Sequence, residues 1–222
     1  MYLNGAGNVY VDSVSLTQRY DRAIALSKKS SVSGYSAIIN NGANGTATSG
    51  FIIALYSANK VALKDYQGWV DTSPSNAGIN DVDLTSTISY TDWENVLYVI
   101  NSAGGYARLY ENGLLAVTDS TYDFGKQIAR YPLTIGKDTV VNASYFNGVI
   151  GKIQILRFTN ISQSNFDPTT YKIGQSVTGG GAEEVLRLTW SNISGNYAYD
   201  ESTYGTIMRK YRDWETDRKS VV

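Results

Sequence analysis

The stretch "KDYQGWVDTSPSN" (64–76) sets two aromatic residues, Tyr66 and Trp69, beside Gln67, Asp71 and Asn76. That mixture suits a ring-shaped polyol, because an aromatic face accepts the apolar face of the ring while amides and carboxylates take its hydroxyls. A structural reading competes, in which Trp69 caps the edge of the core. Acid chemistry has less support. The chain holds six Glu, and none lies in an alternating Glu-x-Asp-x-Glu pattern that would align acid, orienter and nucleophile on one strand face. Glu94 and Glu111 are the acids nearest to recognisable motifs, but Glu111 adjoins an Asn-Gly turn, where a solvated residue is expected.

Absent residue types narrow the chemistry further. With no His and no Cys there is no Ser-His-Asp or Cys-His apparatus, no zinc site of the usual kind and no disulfide. Only oxygen ligands remain for a metal, which makes Ca2+ the leading candidate cofactor. The segment "NDVD" (80–83) lacks the Gly and terminal Glu of an EF-hand loop and reads as a solvated turn. A non-enzyme is expected.

The elements that must carry these residues are strands. The 222 residues are 42% hydrophobic and 18% charged, with 21 Gly, 3 Pro and 18 Tyr, which describes a turn-rich, strand-rich globular chain. A net charge of −1 supplies no basic field for nucleic acid or an anionic membrane. No apolar run approaches the roughly 20 residues that span a bilayer, and the N-terminal segment has no targeting pattern. Asn-Gly occurs at residues 4–5, 41–42, 44–45, 112–113 and 147–148, a strong short-range hairpin signal.

"VLYVINSAGGYARLYENGLLAVT" (96–118) reads as an antiparallel meander, with Tyr106, Arg108 and Tyr110 opposite Ala107 and Leu109. In "YFNGVIGKIQILRF" (145–158), strict alternation places Val149, Gly151, Ile153 and Ile155 on one face and Ile150, Leu156 and Phe158 on the other. A strand apolar on both faces belongs in the middle of the architecture. "YLNGAGNVYVD", "DRAIALSKKSS", "GYSAIIN", "GFIIALYS" and "KVALKDY" add short strands at regular spacing, as in a sandwich or jelly roll. Only "ISQSNFDPTTYK" (161–172) suggests a turn of helix, with Ser162 as its cap. The expected fold is all-β, with Leu109, Ile135, Ile153 and Ile155 buried.

An ordered set of these segments resembles the laminin G-like modules of the concanavalin A-like superfamily, two-sheet antiparallel jelly-roll sandwiches. "YLNGAGNVYVD" looks like the opening strand and "DRAIALSKKSS" like the second, without its usual Trp. "WENVLYVINSAGGYARLYENGLL" is similar to the family's Trp, core strand and Tyr-x-Asn-Gly hairpin, which places Trp93 in the core. "PLTIGK" and "YFNGVIGKIQILRFTNIS" resemble the closing strands. The resemblance implies a binding module for a glycan or cell-surface polysaccharide, within a phage virion (tail) protein or a bacterial surface protein. Its alternatives are a structural spacer between virion or surface modules and, less favoured, a glycoside hydrolase. It also implies a ligand role for the loop "GKDTVVNASY" (136–145), with Asn142 and Tyr145 as ligand contacts beside Tyr66, Gln67, Trp69 and Asp71, and Asp138 and Asn142 as candidate calcium ligands.

The expected organisation is a module over residues 1–173, a Gly-rich linker over 174–184, and the first strand of a truncated second module over 185–207. Residues 208–222 read as a non-native tail. The final "DRKSVV" (217–222) matches a translated sequencing adapter, so the natural chain is expected to be longer, and Trp214 is not expected in the same core as Trp93.

Overall fold

A computed structural model describes residues 2–4, 8–11, 21–30, 36–40, 50–55, 61–66, 79–83, 93–101, 103–120, 133–137, 145–162, 164–191, 193–194, 197–199, 201–202 and 207–211. Sixteen strands and no helix are found among them. In chain order the first eight are β1 (Tyr2–Asn4), β2 (Asn8–Val11), β3 (Asp21–Ser30), β4 (Ser36–Asn40), β5 (Gly50–Leu55), β6 (Val61–Tyr66), β7 (Ile79–Asp83) and β8 (Glu94–Asn101). The others are β9 (Tyr106–Glu111), β10 (Leu114–Asp119), β11 (Leu133–Ile135), β12 (Asn147–Phe158), β13 (Glu183–Leu188), β14 (Ile193–Ser194), β15 (Tyr197–Tyr199) and β16 (Ile207–Tyr211).

The strands form two antiparallel sheets. The first runs β1-β12-β3-β8-β9-β10, with β13 also on β12, and the second runs β14-β15-β16-β2-β11-β4-β5-β6-β7. Between them lies a core to which the first sheet gives Ile24, Leu26, Tyr98, Leu109, Ile153 and Ile155, and the second gives Ile39, Ile53, Leu133 and Ile135. The four positions expected to be buried are buried. Side-chain alternation explains the partition, since Ala107 and Leu109 face this core while Tyr110 joins a second cluster on the other side of the same sheet.

That second cluster explains why the first sheet reads as apolar on both faces. Its outer side, with Ala23, Ala25, Leu97, Val99, Leu156 and Phe158, is covered by a strap over residues 159–182 carrying Ile161 and Phe166, with Tyr171, Ile173 and Val177 packed alongside. The strap contains turns where the sequence suggested a helix. The amides of Asn165 and Phe166 both donate to the Ser162 carbonyl, and the Ser162 amide donates to Asn165 Oδ1, the reverse of the expected Ser162 cap.

Three further expectations are corrected. A register shift between Ile150 and Ile153 sets Gly151 and Lys152 together opposite Ser27, one residue more than on β3, so Ile150 faces the inter-sheet core with Ile153 and Ile155; a bulge breaks the strict alternation. "NDVD" lies within β7, where Val82 pairs with Leu63. Asn112 and Gly113 form the expected positive-φ hairpin turn (49° and 82°), whereas Asn147 and Gly148 lie within β12.

The C-terminal reading changes most. The Gly-rich run is a fixed turn. Gly180 and Gly181 hold φ of 66° and 65°, and the Gly180 carbonyl accepts from the amides of Thr159 and Asn160. β13 then pairs antiparallel with β12 and inserts Val185, Leu186 and Leu188 into the inter-sheet core. Residues 208–211, expected in a loose tail, pair with β2, with Met208 opposite Val11. Among the described residues, 183–188 and 207–211 thus pair with strands of the same two sheets. Residues 212–222, Trp214 included, lie outside the described residues.

Candidate functional site

Of the loop residues singled out by composition, Gln67, Trp69, Asp71 and Asn76 lie outside the described residues, as do Asp138 and Asn142. The backbone places their neighbours. Tyr66 ends β6 opposite Gly50, and because Ile53 and Leu55 of β5 face the core, the Gly50–Tyr66 register position lies on the outer face of the second sheet.

Residues 138–144 lie outside the described residues, but Lys137 and Tyr145 on either side of them bridge each other, and Tyr145 also bridges Ala37. The bridge is braced. Thr134, fully buried, sets Oγ1 3.0 Å from the Asn40 carbonyl and 3.1 Å from the Lys137 carbonyl, and Lys137 Nζ stands 5.4 Å from the centre of the half-buried Tyr145 ring. Ala37 pairs with Ala54, four residues along β5 from Gly50. Tyr66 and the Lys137–Tyr145 bridge are thus separated by about 13 Å along the strand direction, and they do not share one end of the sheet.

Glu94 and Glu111 occupy the core-facing side. Glu94 is 4% exposed and its Oε2 lies 2.5 Å from Nζ of Lys28, itself fully buried. Burial holds the Glu94 carboxyl above the usual carboxylate range, the Lys28 ammonium opposing this shift and Glu111 adding to it. This is an internal ion cluster at the end of the sandwich, an arrangement that stitches β3 to β8. Among the described residues no group of three or more His, Cys, Asp or Glu could hold a metal ion.

A feature that composition did not flag lies in the strap. Its turns border an open cleft of about 480 Å³ lined by Asn165, Phe166, Asp167, Tyr171, Gln175 and Thr178, among others. Asp167 accepts from Thr169 N and Oγ1 (3.0 and 2.7 Å) and from Thr170 Oγ1 (3.1 Å). The bonds from Thr169 above all, with that from Thr170, hold its carboxyl below the usual range. The signal was present in "SNFDPTT" as an Asx turn, but the helical reading of 161–172 concealed it. The cleft offers the partly buried Tyr171 ring, amides, hydroxyls and one carboxylate, a set that binds chiefly by hydrogen bonding, while Phe166 is buried beneath it.

The sandwich topology and this sequence order define a class. The family model Laminin G 3, described as the Concanavalin A-like lectin/glucanases superfamily, matches residues 3–160. The chain belongs to that superfamily. No curated protein matches it. Among solved structures, a Bacteroides ovatus protein proposed to bind carbohydrate is similar at 12% identity and TM-score 0.66, over 96% of this chain and 59% of that one. The CBM40 of a Ruminococcus gnavus IT-sialidase is similar at 16% identity and TM-score 0.57, over 78% of this chain and 96% of that one. Domain 4 of AbnA, a GH43 extracellular arabinanase from Geobacillus stearothermophilus solved with arabinotriose, is similar at 14% identity and TM-score 0.56, over 76% and 73%. At these identities the likeness is one of fold.

Proposed function

We propose that the chain is a non-catalytic carbohydrate-binding module of a longer extracellular protein, on a bacterial surface or a phage virion. The observation that carries this reading is the strap cleft, sized for one or two sugar rings and lined by the groups that sugars need. The fold supports it, since similar solved structures include the R. gnavus CBM40 bound to sialyllactose and the AbnA domain bound to arabinotriose. The non-catalytic reading is supported by the placement of Glu94 and Glu111 on the core-facing side, with Lys28 against Glu94. No helix of the described residues is long and apolar enough to cross a membrane.

Tyr66, Gln67, Trp69 and Asp71 are retained as one proposed contact region and Asn142 and Tyr145 as another, with Asp138 and Asn142 as proposed calcium ligands. The test is a glycan array with the full chain, with and without a calcium chelator. Binding should survive in a folded Trp69→Ala variant if the strap cleft is the main site, and should fall in Thr178→Trp, which fills the cleft. No binding to any glycan by the folded chain would leave the module as a structural spacer.

A further inference from the structure

Trp93 is 54% exposed, although the order of motifs places it in the core. Its position explains both facts. Trp93 immediately precedes β8, and β8 and β12 are separated by β3. A Cβ built on Gly151 of β12 would nevertheless lie 3.1 Å from Trp93 Cζ3, and would also collide with Ser27 Oγ on β3. The indole therefore extends over β3 toward β12, which lies two inter-strand spacings, or about 10 Å, from β8. Its Cζ3 edge approaches the bare backbone of Gly151, and about half of the side chain meets solvent.

The support is built. Ser27 Oγ accepts from the Lys152 amide at 2.9 Å, pinning the bulge, and Trp190 Nε1 donates to the Gly151 carbonyl from beneath. Two lysines occupy neighbouring positions on the strands that the ring crosses, the Lys152 side chain running beside Gly174 of the strap. Lys29 is the next outward position after Ser27 on β3, and Lys152 follows Gly151; both are exposed, and neither has an ion-pair partner among the described residues. The nearby acids Glu94 and Glu111 belong to the opposite, core-facing side, in alternation with Val96 and Leu109. Exposed Asn95, paired with Ser27, adds an amide at the margin.

From this juxtaposition of an exposed indole with two lysines that have no ion-pair partner among the described residues we infer a further binding site, on the outer face of the first sheet, for an anionic pyranoside. The indole stacks the apolar face of the ring, and Lys29 and Lys152 take its carboxylate or sulfate. This rests on the carbohydrate-binding reading and adds a site and a charge class to it.

The experiment uses the full chain in affinity electrophoresis and calorimetry against polygalacturonate (carboxylated), a sulfated galactan and a neutral galactan. Wild type should prefer an acidic polymer, the two acidic arms telling carboxylate from sulfate, and binding should weaken at least tenfold with added salt. Trp93→Ala should weaken it at least tenfold while Trp93→Tyr retains most of it. Because Trp93→Ala also removes packing over Gly151, the Lys29→Glu/Lys152→Glu variant gives an independent reading: lost acidic-polymer binding with an unchanged melting midpoint. Binding unaltered in both variants, or equal preference for the neutral galactan, overturns this site alone. Retention of no polysaccharide by folded wild type overturns the carbohydrate-binding reading with it.

Discussion

Tyr171 on the strap donates its hydroxyl hydrogen bond to Oε1 of Gln154, a fully buried side chain on β12. The same oxygen accepts from the Gly174 amide at 2.6 Å, while Gln154 Nε2 donates to the Gln175 carbonyl at 3.1 Å and to Glu184 Oε1. All four bonding capacities of one amide are thereby filled, and three of the four partners lie on the strap. This is how a segment with no strand of its own is held against the sheet and how the cleft keeps its shape. Burial, reinforced by Glu184, pushes the Tyr171 phenol well above its usual pKa, so it remains a donor at all physiological pH.

Replacing Gln154 with Leu therefore orphans the Tyr171 hydroxyl and the Gly174 amide together. The expected loss is about 2–4 kcal/mol in urea unfolding, with Tyr171→Phe costing about 1 kcal/mol. A Gln154→Leu variant within about 0.5 kcal/mol of wild type would show that the strap is held by its apolar contacts alone.

The Lys28–Glu94 pair makes a different demand. Glu94→Ala leaves a buried ammonium without its partner and should cost about 3–5 kcal/mol, whereas Lys28→Met/Glu94→Leu should recover most of that loss. The pH dependence has a definite sign. With its folded pKa raised, Glu94 contributes stability that is present below its unfolded pKa and lost as pH rises through the folded value. Denaturation midpoints should move in favour of the double variant as pH rises through that window. A constant difference across the window would contradict the raised value.

Asp167 has the opposite sign. Its folded pKa is lowered, so its contribution is present above the unfolded pKa and is lost as pH falls through the folded one. A carboxyl NMR titration should place Asp167 below an ordinary aspartate. Thr169→Ala should bring it partway back, because the backbone donor from residue 169 survives, and Thr170→Ala should move it less. No upward movement in Thr169→Ala would remove the hydroxyl as the main cause.

The strands were legible because period-2 alternation and turn chemistry agree along most of the chain, as at Ala107, Leu109 and Tyr110. Three kinds of feature escaped. Bulges do not announce themselves, so Ile150 falls on the wrong face unless the one extra residue in Gly151–Lys152 is counted, which puts it on the same side as Ile153. Burial on an outer face depends on a distant covering segment, and nothing local shows that residues 159–182 return over Leu97 and Phe158. Trp93 was assigned by motif order to the core, but its placement depends on a glycine 58 positions away whose missing side chain makes room for the ring.

The membership of β13 in the first sheet yields the sharpest prediction about the extent of the folding unit. A chain ending at Ile173, the boundary that the sequence suggested, removes Val185, Leu186 and Leu188 from the inter-sheet core and Val177 from the strap cluster. At about 1.5–3 kcal/mol for each large buried side chain, the three core residues alone account for about 5–9 kcal/mol. That is comparable to the total stability of a typical domain, about 5–15 kcal/mol. The shortened chain should therefore be unfolded or self-associated by gel filtration and lack a cooperative urea transition. A chain ending at Tyr211, which keeps β13 and the β16–β2 pairing, should melt within a few degrees of the full chain. If the 1–173 chain instead unfolds cooperatively at the wild-type midpoint, β13 adds nothing to the sandwich and residues from 185 onward belong to a separate module.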